Sequence, residues 1–256
     1  MQKRGLWAIG FMVLGVLAAG TSLRAQGGDE GKAPLYIYVS QWAVPRAQWP
    51  DMEKSGDEHQ AVEDKLLADG VIKSYGETVN LIHTEGHPTH TEWFTATSEA
   101  NIVKALEAFR AEPDSTSSVL AASKHWDYFL VSHFYNSRPG NYDGGYLAGS
   151  QWQVKPGQGE AFQNLVKTRV VPVLEKLLAD GVLAAYNVNY QDYHTGTPGV
   201  VDVVSMTTDA AGLDKMDAAF EATFAKDPEI GPAMGSLTEP GSHHDFLARI
   251  THMKFK

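Results

Sequence analysis

The sequence of 256 residues contains no cysteine, and this absence removes several classes of chemistry at once. Disulfide bonds, thiol catalysis, iron–sulfur clusters and cysteine-ligated zinc all require cysteine side chains. A lipoprotein anchor is excluded for the same reason, because it needs a cysteine at the cleavage point. The sequence also lacks a Gly-x-Ser-x-Gly elbow, a phosphate-binding loop, a dinucleotide fingerprint and a His-Glu-x-x-His motif. These absences argue against hydrolases, kinases, nicotinamide-dependent dehydrogenases and zinc proteases of the zincin type.

Positive charge is scarce. The chain has 21 Lys and Arg against 31 Asp and Glu, which gives a formal net charge of −10. An acidic chain repels phosphate backbones and anionic lipid, so we predict no nucleic-acid partner and no membrane binding by the mature chain. The composition is 43% hydrophobic and 20% charged, as in ordinary globular proteins. Solubility alone accounts for such a charge.

Long hydrophobic runs are absent except at the N-terminus. Lys3 and Arg4 precede an uncharged apolar run over residues 6–19, and a polar stretch ending at Ala25 follows it. The run is short for a membrane span, and this three-part layout is typical of a secretory signal. We therefore predict a signal peptide over residues 1–25, cleaved near Ala25, a flexible lead-in over residues 26–34, and a secreted or periplasmic protein. An uncleaved N-terminal anchor is the alternative.

One heptapeptide occurs twice in the chain. Residues 65–71 (KLLADGV) recur unchanged as residues 176–182. The flanking positions correspond at an offset of 110 or 111 throughout, as in Ser40/Ser150, Gln41/Gln151, Trp42/Trp152, Tyr75/Tyr186 and His83/His194. The two halves are therefore collinear, which predicts two copies of one structural unit.

Each half contains alternating strand and helix patterns. Alternation of β-forming residues predicts strands over residues 36–44, 71–83, 92–97 and 127–135, and over 182–194, 200–207 and 245–254 in the second half. Helical periodicity fills the intervals, and Pro172 is predicted to kink or split one helix. Ser98 and Asp209 are predicted helix N-caps, and Gly70 and Gly181 are predicted to end helices.

The element order β-α-β-β-α-β, read twice, predicts an α+β fold built from two ferredoxin-like repeats. We place the first repeat at residues 35–135, a linker at 136–145 and the second repeat at 146–256. Each four-stranded sheet has helices on one face only, so the two open faces are predicted to cover each other.

In element order and duplication, the chain resembles the dimeric α+β barrel (ferredoxin-like) superfamily in its fused, two-repeat form. The resemblance spans nearly all of the mature chain. It implies a barrel between the two sheets and a chemistry that varies among members. These include cofactor-free monooxygenases, haem enzymes of the chlorite dismutase kind, dye-decolourising peroxidases and isomerases. The fold alone therefore does not select a function.

Strand alternation divides the side chains between two faces. We assign Ile37, Val39, Phe94, Ala96, Phe129 and Val131 to the helix-facing side. The opposite parity then points into the barrel, and its candidate ligand-binding residues are Tyr38, Trp42, Glu77, Trp93, Trp152 and Tyr190. Pockets commonly combine apolar walls with a few polar groups. The alternative is a packed interface between the sheets, which would select aromatic residues anyway.

The repeated pairs Tyr75/His83 and Tyr186/His194 are the catalytic candidates. Histidine exchanges protons near neutral pH, and tyrosine can donate a hydrogen bond to a developing oxyanion. Both pairs are placed by strand parity on the inner face, with the histidines at strand ends. Duplication also preserves residues that have only structural roles, so this alternative stays open.

His83, His87 and His90 are clustered near one turn and are the weak candidates for a metal site. No recognised ligand spacing supports it, so we predict no metal and no tightly bound cofactor, while haem or a divalent metal is not excluded. His125-Trp126-Asp127 and His243-His244-Asp245 also correspond between the halves.

The functional hypothesis is an exported barrel protein that binds a small hydrophobic or aromatic molecule without a nucleotide cofactor, with or without transforming it. A transformation would be monooxygenase-like or isomerase-like. The alternatives are a haem or metal protein on the same scaffold and a non-catalytic envelope protein. The chain is predicted to be a monomer or a homodimer. The halves differ at Glu77/Val188, at Trp93/Val203 and in the extra His87 and His90, which favours a site in the first half.

Overall fold

The computed structural model describes residues 32–112 and 118–256, so the predicted signal peptide lies outside the described residues. The strands are β1 (Leu35–Ala43), β2 (Ser74–Asn80), β3 (His90–Ala96), β4 (Lys124–Ser137), β5 (Gly140–Asn141), β6 (Tyr146–Gln153), β7 (Leu183–Gln191), β8 (Val200–Thr207) and β9 (His244–Phe255). The helices are α1 (Trp49–Ala68), α2 (Glu99–Arg110), α3 (Ser118–Ala122), α4 (Gly159–Leu165), α5 (Val171–Ala179), α6 (Ala210–Lys226) and α7 (Ile230–Leu237).

The two halves form one closed antiparallel barrel. The strand order is β2-β3-β1-β4 in the first half and β7-β8-β6-β9 in the second. Strands β4 and β7 pair at one seam, and β2 and β9 pair at the other. The predicted α+β fold of two tandem ferredoxin-like repeats is confirmed. Because the barrel closes within one chain, no second copy is needed to complete it.

The predicted helix ends are confirmed where their geometry can be read. The side chain of Ser98 accepts a hydrogen bond from the amide of Asn101 at 3.2 Å. That of Asp209 accepts one from the amide of Gly212 at 2.8 Å. Gly70, which follows α1, has a φ of +73°, a left-handed conformation that glycine adopts without strain.

A π-helical segment, Val166–Val170, separates α4 from α5. A π-turn accommodates one extra residue in a helix. The offset between the repeats is 110 before this point and 111 after it, so the extra residue lies here. Pro172 stands in the first turn of α5, where its missing amide hydrogen costs nothing, and the predicted split of this helix is observed.

The barrel interior is a packed core. An eight-stranded barrel has just enough space for side chains to fill it. Here it is filled mainly by aliphatic residues and one tryptophan, namely Ile37, Val39, Trp93, Leu130, Leu147, Val204, Met206, Ile250 and Met253. Trp93 lies directly over Gly76, where a Cβ would come within 2.6 Å of the indole ring. The space expected to hold a ligand is therefore occupied by the protein itself.

The predicted inward direction was wrong for most of the aromatic set. Trp93 does point into the barrel, but the following residues face the helices: Tyr36, Tyr38, Ser40, Trp42, Tyr75, Glu77, Trp152, Tyr186 and Tyr190. Ile37 and Val39, expected beneath the helices, lie inside instead. The interior contains mostly aliphatic side chains with a few aromatic rings, such as Trp93 and Phe255, whereas the other aromatic residues of the predicted set lie beneath the helices. Both faces of β1 are hydrophobic, so alternation alone could not choose between them.

Candidate ligand pocket beneath the first helix

Three glutamates lie between α1 and the outer face of the first sheet. Glu77 of β2 and Glu92 of β3 are direct cross-strand partners. Glu63 projects from α1 and is only 4% exposed, and Glu77 is 8% exposed. Carboxylates are rarely buried this deeply unless a positive group accompanies them. Such a cluster therefore needs an explanation beyond packing.

Gly56 of α1 makes room for the Glu77 carboxylate. A Cβ at position 56 would lie far inside van der Waals contact with the Glu77 carboxyl oxygens. Glycine is unfavourable in the middle of a helix, by about 1 kcal/mol relative to alanine. The local sequence of α1 is thus adapted to Glu77 rather than to helix stability.

A cavity of about 160 Å³ adjoins these carboxylates. It is lined by α1, β2, β3 and β9 through Met52, Glu53, Asp57, Glu77, Thr78, Val79, His90, Thr91, Glu92, Thr251 and His252. The pairing of β2 with β9 shifts register between Glu77 and Thr78, a bulge of the kind found beside binding sites. His252 and Asp57 approach to 3.0 Å and join β9 to α1 at the rim. The walls of this pocket are therefore well defined.

The environment shifts the pKa values of the carboxyl groups upward. Burial, and then the charges of Glu92 and Asp57, raise the pKa of Glu77 to about 8. Burial and the charges of Glu77, Glu92 and Asp64 raise the pKa of Glu63 well above its usual range. Burial also raises the pKa of Glu92, although the charge of His59 opposes the shift. A carboxyl with a pKa near 8 can exchange protons at physiological pH.

His90 lines this pocket and contains a buried ring nitrogen without a hydrogen-bond partner among the described residues. The Thr89 hydroxyl donates to the carbonyl oxygen of Trp42 at 3.1 Å, so its hydrogen is already used. We therefore assign the imidazole hydrogen of His90 to Nδ1, which lies 2.9 Å from Thr89 Oγ1 and donates to it. Nε2 is left as a bare acceptor, buried and without a partner among the described residues. Burial lowers the pKa of His90 to about 4, so the ring is neutral near pH 7.

The second repeat has a hydrophobic core at the same place. The strand register aligns the partners Glu77 and Glu92 with the partners Val188 and Val203. The repeat offset aligns Glu63 with Leu174. The complete set of pairs is Gly56/Val166, His59/Val170, Glu63/Leu174, Glu77/Val188, Glu92/Val203 and His252/Phe134, and every second member belongs to one hydrophobic cluster. The fold thus accommodates a fully hydrophobic core at this place, and the acidic residues are a specific feature of the first half.

The two predicted catalytic tyrosines have equivalent positions outside the cavity. Tyr75 donates to Asp64 of α1 at 2.9 Å, and Tyr186 donates to Glu175 of α5. Both bonds join the second strand of a repeat to its first helix. This shared packing role accounts for the repetition of the tyrosines. Their catalytic role stays a prediction.

His83 and His194, the two predicted catalytic histidines, were expected on the inner face of the barrel, and this placement was wrong. Both lie in exposed loops, because β2 ends at Asn80 and β7 ends at Gln191. The strands stop early because β3 begins only at His90 and β8 only at residue 200, so the residues beyond these strand ends lack a partner in the neighbouring strand. Neither His83 nor His194 lines the pocket beneath α1 or lies beside its predicted tyrosine partner. Their catalytic role stays a prediction, without support from their positions.

The three histidines considered as weak metal candidates do not meet. His83 and His87 line an open cleft of about 720 Å³, and His90 is buried. His83 and His90 both pack against the ring of Trp49, which also lines the cleft, with ring centroids 5.4 Å and 5.2 Å away. Among the described residues, no group of three His, Asp or Glu is placed to hold a metal ion. An absorption spectrum and elemental analysis would test the haem and metal alternative.

The remaining predicted ligand contacts are dispersed. Tyr38 packs on Phe94, and its hydroxyl donates to Asp127. Trp42 and Trp152 stack on His125 and His243 with ring centroids 3.7 Å and 5.0 Å apart. Tyr190 packs in the second hydrophobic core. Of the predicted ligand-binding set, only Glu77 lines the pocket.

Ser40, His125 and Asp127 are close together but do not form a nucleophilic triad. Ser40 Oγ lies 2.7 Å from His125 Nε2, and Asp127 Oδ1 lies 2.9 Å from the same nitrogen. A triad requires the carboxylate and the hydroxyl on opposite ring nitrogens. The second half repeats the pattern in Ser150, His243 and Asp245, where Asp245 accepts from Ser150 at 2.6 Å. The motif is therefore a shared structural feature of the pairing between the first and last strands of each repeat.

Gly56, Glu63, His90 and Glu92 were not predicted as ligand-binding residues. The signal for Glu63 and Glu92 was present in the repeat, because an alignment of the halves pairs each with a hydrophobic residue. Pairing by a single offset also placed Trp93 against Val203, whereas the strand register pairs it with Val204. Glu92 is the residue that corresponds to Val203.

The closed barrel with two duplicated ferredoxin-like halves gives the chain the dimeric α+β barrel fold in a fused, single-chain form. No family model matches the sequence. No curated protein is detectably similar to it in sequence. Within the described residues, no helix has the length and hydrophobicity to cross a membrane.

Solved structures share this fold. A candidate monooxygenase from Fusobacterium nucleatum subsp. nucleatum ATCC 25586 superposes with a TM-score of 0.61 at 6% identity, covering 88% of this chain and 96% of its own. A candidate monooxygenase from Lactobacillus acidophilus NCFM gives 0.58 at 11% identity, covering 88% and 97%. An anthrone oxidase-like protein gives 0.50 at 12% identity, covering 88% and 94%. At such identities the likeness shows the fold alone.

Proposed function

We propose that the protein binds a one-ring small molecule in the pocket beneath α1 and moves a proton on it through Glu77, without a nucleotide cofactor. The observation that carries this proposal is the acidic cluster that replaces a complete hydrophobic core of the other repeat. Buried carboxyl groups destabilise a fold, and strained or costly groups concentrate at functional sites. The size of the cavity, about 160 Å³, suits a single ring, since an engineered cavity of about 150 Å³ binds benzene.

The chemistry follows from the pair Glu77 and Glu92. Two adjacent carboxyl groups do not both ionise easily, so one holds a proton while the other accepts one. With a pKa of about 8, Glu77 can remove a proton from an acidic C–H or O–H group and return it elsewhere. Proton removal is a first step shared by isomerisation and by direct reaction of a carbanion with oxygen. The monooxygenase and oxidase names of proteins with this fold fit the second course.

The test uses a panel of one-ring phenols, dihydroxybenzenes, cyclic diketones and ring amines. Deuterium uptake from solvent, followed by NMR, detects proton transfer, and an oxygen electrode detects oxygenation. We expect at least one compound to react, and Glu77→Gln to slow that reaction by about 100-fold or more, the usual contribution of a general base. Glu107→Gln, an exposed glutamate of α2, is the matched control. No reaction with any compound, or an unchanged rate in Glu77→Gln, would contradict the proposal.

We also propose that the chain is exported, with cleavage near Ala25. The proposal rests on Lys3, Arg4 and the apolar run over residues 6–19. Expression of the full chain in a Gram-negative host should give a periplasmic protein, and its intact mass should match a chain that begins at Gln26. Leu14→Arg, which interrupts the apolar run, should keep the chain unprocessed in the cytoplasm. An intact chain beginning at Met1 in the membrane fraction would instead indicate an uncleaved anchor.

A further inference from the structure

We infer that the ligand of this pocket is a small organic cation, a molecule of one ring or less that carries a protonated amine or amidine. The inference names the substrate class of the proposed function and rests on the same pocket. Its basis is the hydrogen-bonding character of the walls.

The pocket is rich in hydrogen-bond acceptors. Glu77 Oε1 and His90 Nε2 are both fully buried and lack a hydrogen-bond partner within the part of the chain that the structure describes, and both residues line the cavity. The Thr251 hydroxyl is already used, because it donates to the carbonyl oxygen of Glu77 at 3.2 Å. Unpaired buried acceptors cost about 1 to 3 kcal/mol each. Neither atom is accessible to solvent, so a ligand with several N–H donors relieves this cost when Glu77 or His90 turns toward the cavity.

No lysine or arginine is present among the described residues that line the cavity. Four of the lining side chains are acidic, namely Glu53, Asp57, Glu77 and Glu92. His252 lies against Asp57, and His90 is a neutral acceptor. Two histidines are the nearby groups that can carry positive charge: His252, which pairs with Asp57, and His59, whose charge acts on Glu92. Neither forms a hydrogen bond with Glu77 among the described contacts, and an ammonium or amidinium group supplies a positive partner for this carboxyl.

An organic cation fits the pocket better than a metal ion does. No group of three metal-binding side chains converges among the described residues. The available acceptors are instead spread around the cavity, on β2, β3 and the rim at α1. An ammonium group with three N–H donors, or a planar amidinium, can reach two or three of them at once.

Binding of a cation must then be coupled to proton release. Glu77 retains its proton below its pKa of about 8, and an ammonium group favours the ionised form. The groups that face Glu77 are Asp57, His59 and Glu63 from α1, Glu92 and His90 from β3, and His252 from β9. His90 stays neutral near pH 7, because burial lowers its pKa. We therefore expect the affinity to rise up to tenfold per pH unit below about pH 8.

The test compares benzylammonium, benzamidinium, benzyl alcohol and benzoate by isothermal titration calorimetry on the full mature chain. Benzyl alcohol matches benzylammonium in shape without the charge. We expect the two cations to bind at least tenfold more tightly than benzyl alcohol, and benzoate not to bind. Titrations in two buffers of different ionisation enthalpy should reveal about one proton released per cation bound. This readout uses the unmodified protein and does not depend on any variant being folded.

Glu77→Gln should abolish the proton release and weaken benzylammonium at least tenfold, while Glu107→Gln should change neither. Equal binding of benzyl alcohol, or cation binding without proton release, would overturn the inference and leave proton transfer at Glu77 as a separate question. Tight binding of Mg²⁺ or Ca²⁺ in competition with the cations would also overturn it. If neither cation binds at millimolar concentration while a compound of the panel still reacts, the inference of a cationic ligand is refuted but the proposed function is not.

Discussion

Gly56→Ala should destabilise the protein by about 2 kcal/mol, although the same change in an ordinary helix stabilises it by about 1 kcal/mol. The new Cβ would enter the space held by the Glu77 carboxylate. The clashing atoms are at the end of the Glu77 side chain, which would have to turn toward Glu92 or into the acidic cavity, and either move brings carboxyl groups closer together. Urea unfolding followed by circular dichroism measures the difference in free energy.

The matched control is Gly235→Ala in α7, an exposed helical glycine whose added Cβ would meet nothing within 4 Å. It should be neutral or stabilising. The decisive variant is Gly56→Val combined with Glu77→Val, which reproduces the pair Val166 and Val188 of the second core. We expect this double variant to recover at least the stability of the wild type. If the double variant is as unstable as Gly56→Ala, a clash with the Glu77 carboxylate does not explain why position 56 is a glycine.

The fold could be predicted from the sequence because the information was local and repeated. Each half carries its own strand and helix periods, and the repeated heptapeptide fixed their alignment. The caps at Ser98 and Asp209 followed from their chemistry alone. Two copies of a sheet with one uncovered face then required a barrel.

The site could be predicted only in part, because strand alternation does not state which face is which. On β1, Ile37 and Tyr38 are equally suited to a core, so the direction depended on the width of a barrel that only the tertiary structure defines. Glu77 was identified through its difference from Val188, although its direction was wrong. His90 was considered only as a metal ligand, because its acceptor role depends on Thr89 and on the carbonyl oxygen of Trp42 in β1.

The catalytic histidines were misplaced for a different reason. Repetition selected His83 and His194, but alternation does not state where a strand stops, and both residues follow the last paired position of their strand. The end of a strand depends on where its partner begins, which is a tertiary property. Repetition therefore identified equivalent positions without indicating that they lie in a site.

The comparison between the repeats separates structural from functional residues. Features that both halves keep, such as Tyr75 with Asp64 and Tyr186 with Glu175, have the same packing role in each. Features that only one half keeps, such as Glu63 and Glu92, reduce stability where they occur. In proteins, groups retained at such a cost are commonly those on which activity depends. The candidate site and the stability of the protein are therefore directly linked.

The stability of the protein should therefore fall as the pH rises from about 6.5 to 8.5. In the unfolded chain a glutamate ionises near pH 4.3, so it has lost its proton throughout this range. In the folded chain Glu77 keeps its proton up to a pKa of about 8, and Glu63 also has a raised pKa. The folded state then binds more protons than the unfolded state, and stability declines by about 1.4 kcal/mol per pH unit for each such group.

The range is chosen so that other groups do not mask the effect. Burial lowers the pKa of His90 to about 4 and also lowers that of His133. These two histidines make the folded state more stable as the pH rises, but this change occurs mainly below about pH 6.5. Burial raises the pKa of Asp202 to about 6, so most of its effect on the free energy of unfolding also occurs below pH 6.5. Urea unfolding at intervals of half a pH unit measures the slope.

A variant that copies the second core should remove this slope. The combined change Gly56→Val, Glu63→Leu, Glu77→Val and Glu92→Val replaces the acidic set with its counterparts. We expect it to be more stable than the wild type at pH 8, by about 3 kcal/mol, because no carboxyl then has to be buried against its charge. Glu107→Gln should retain the slope of the wild type. A wild type whose stability is constant or rises across the range would show that the buried carboxyl groups are ionised in the folded protein, and that they have an internal positive partner.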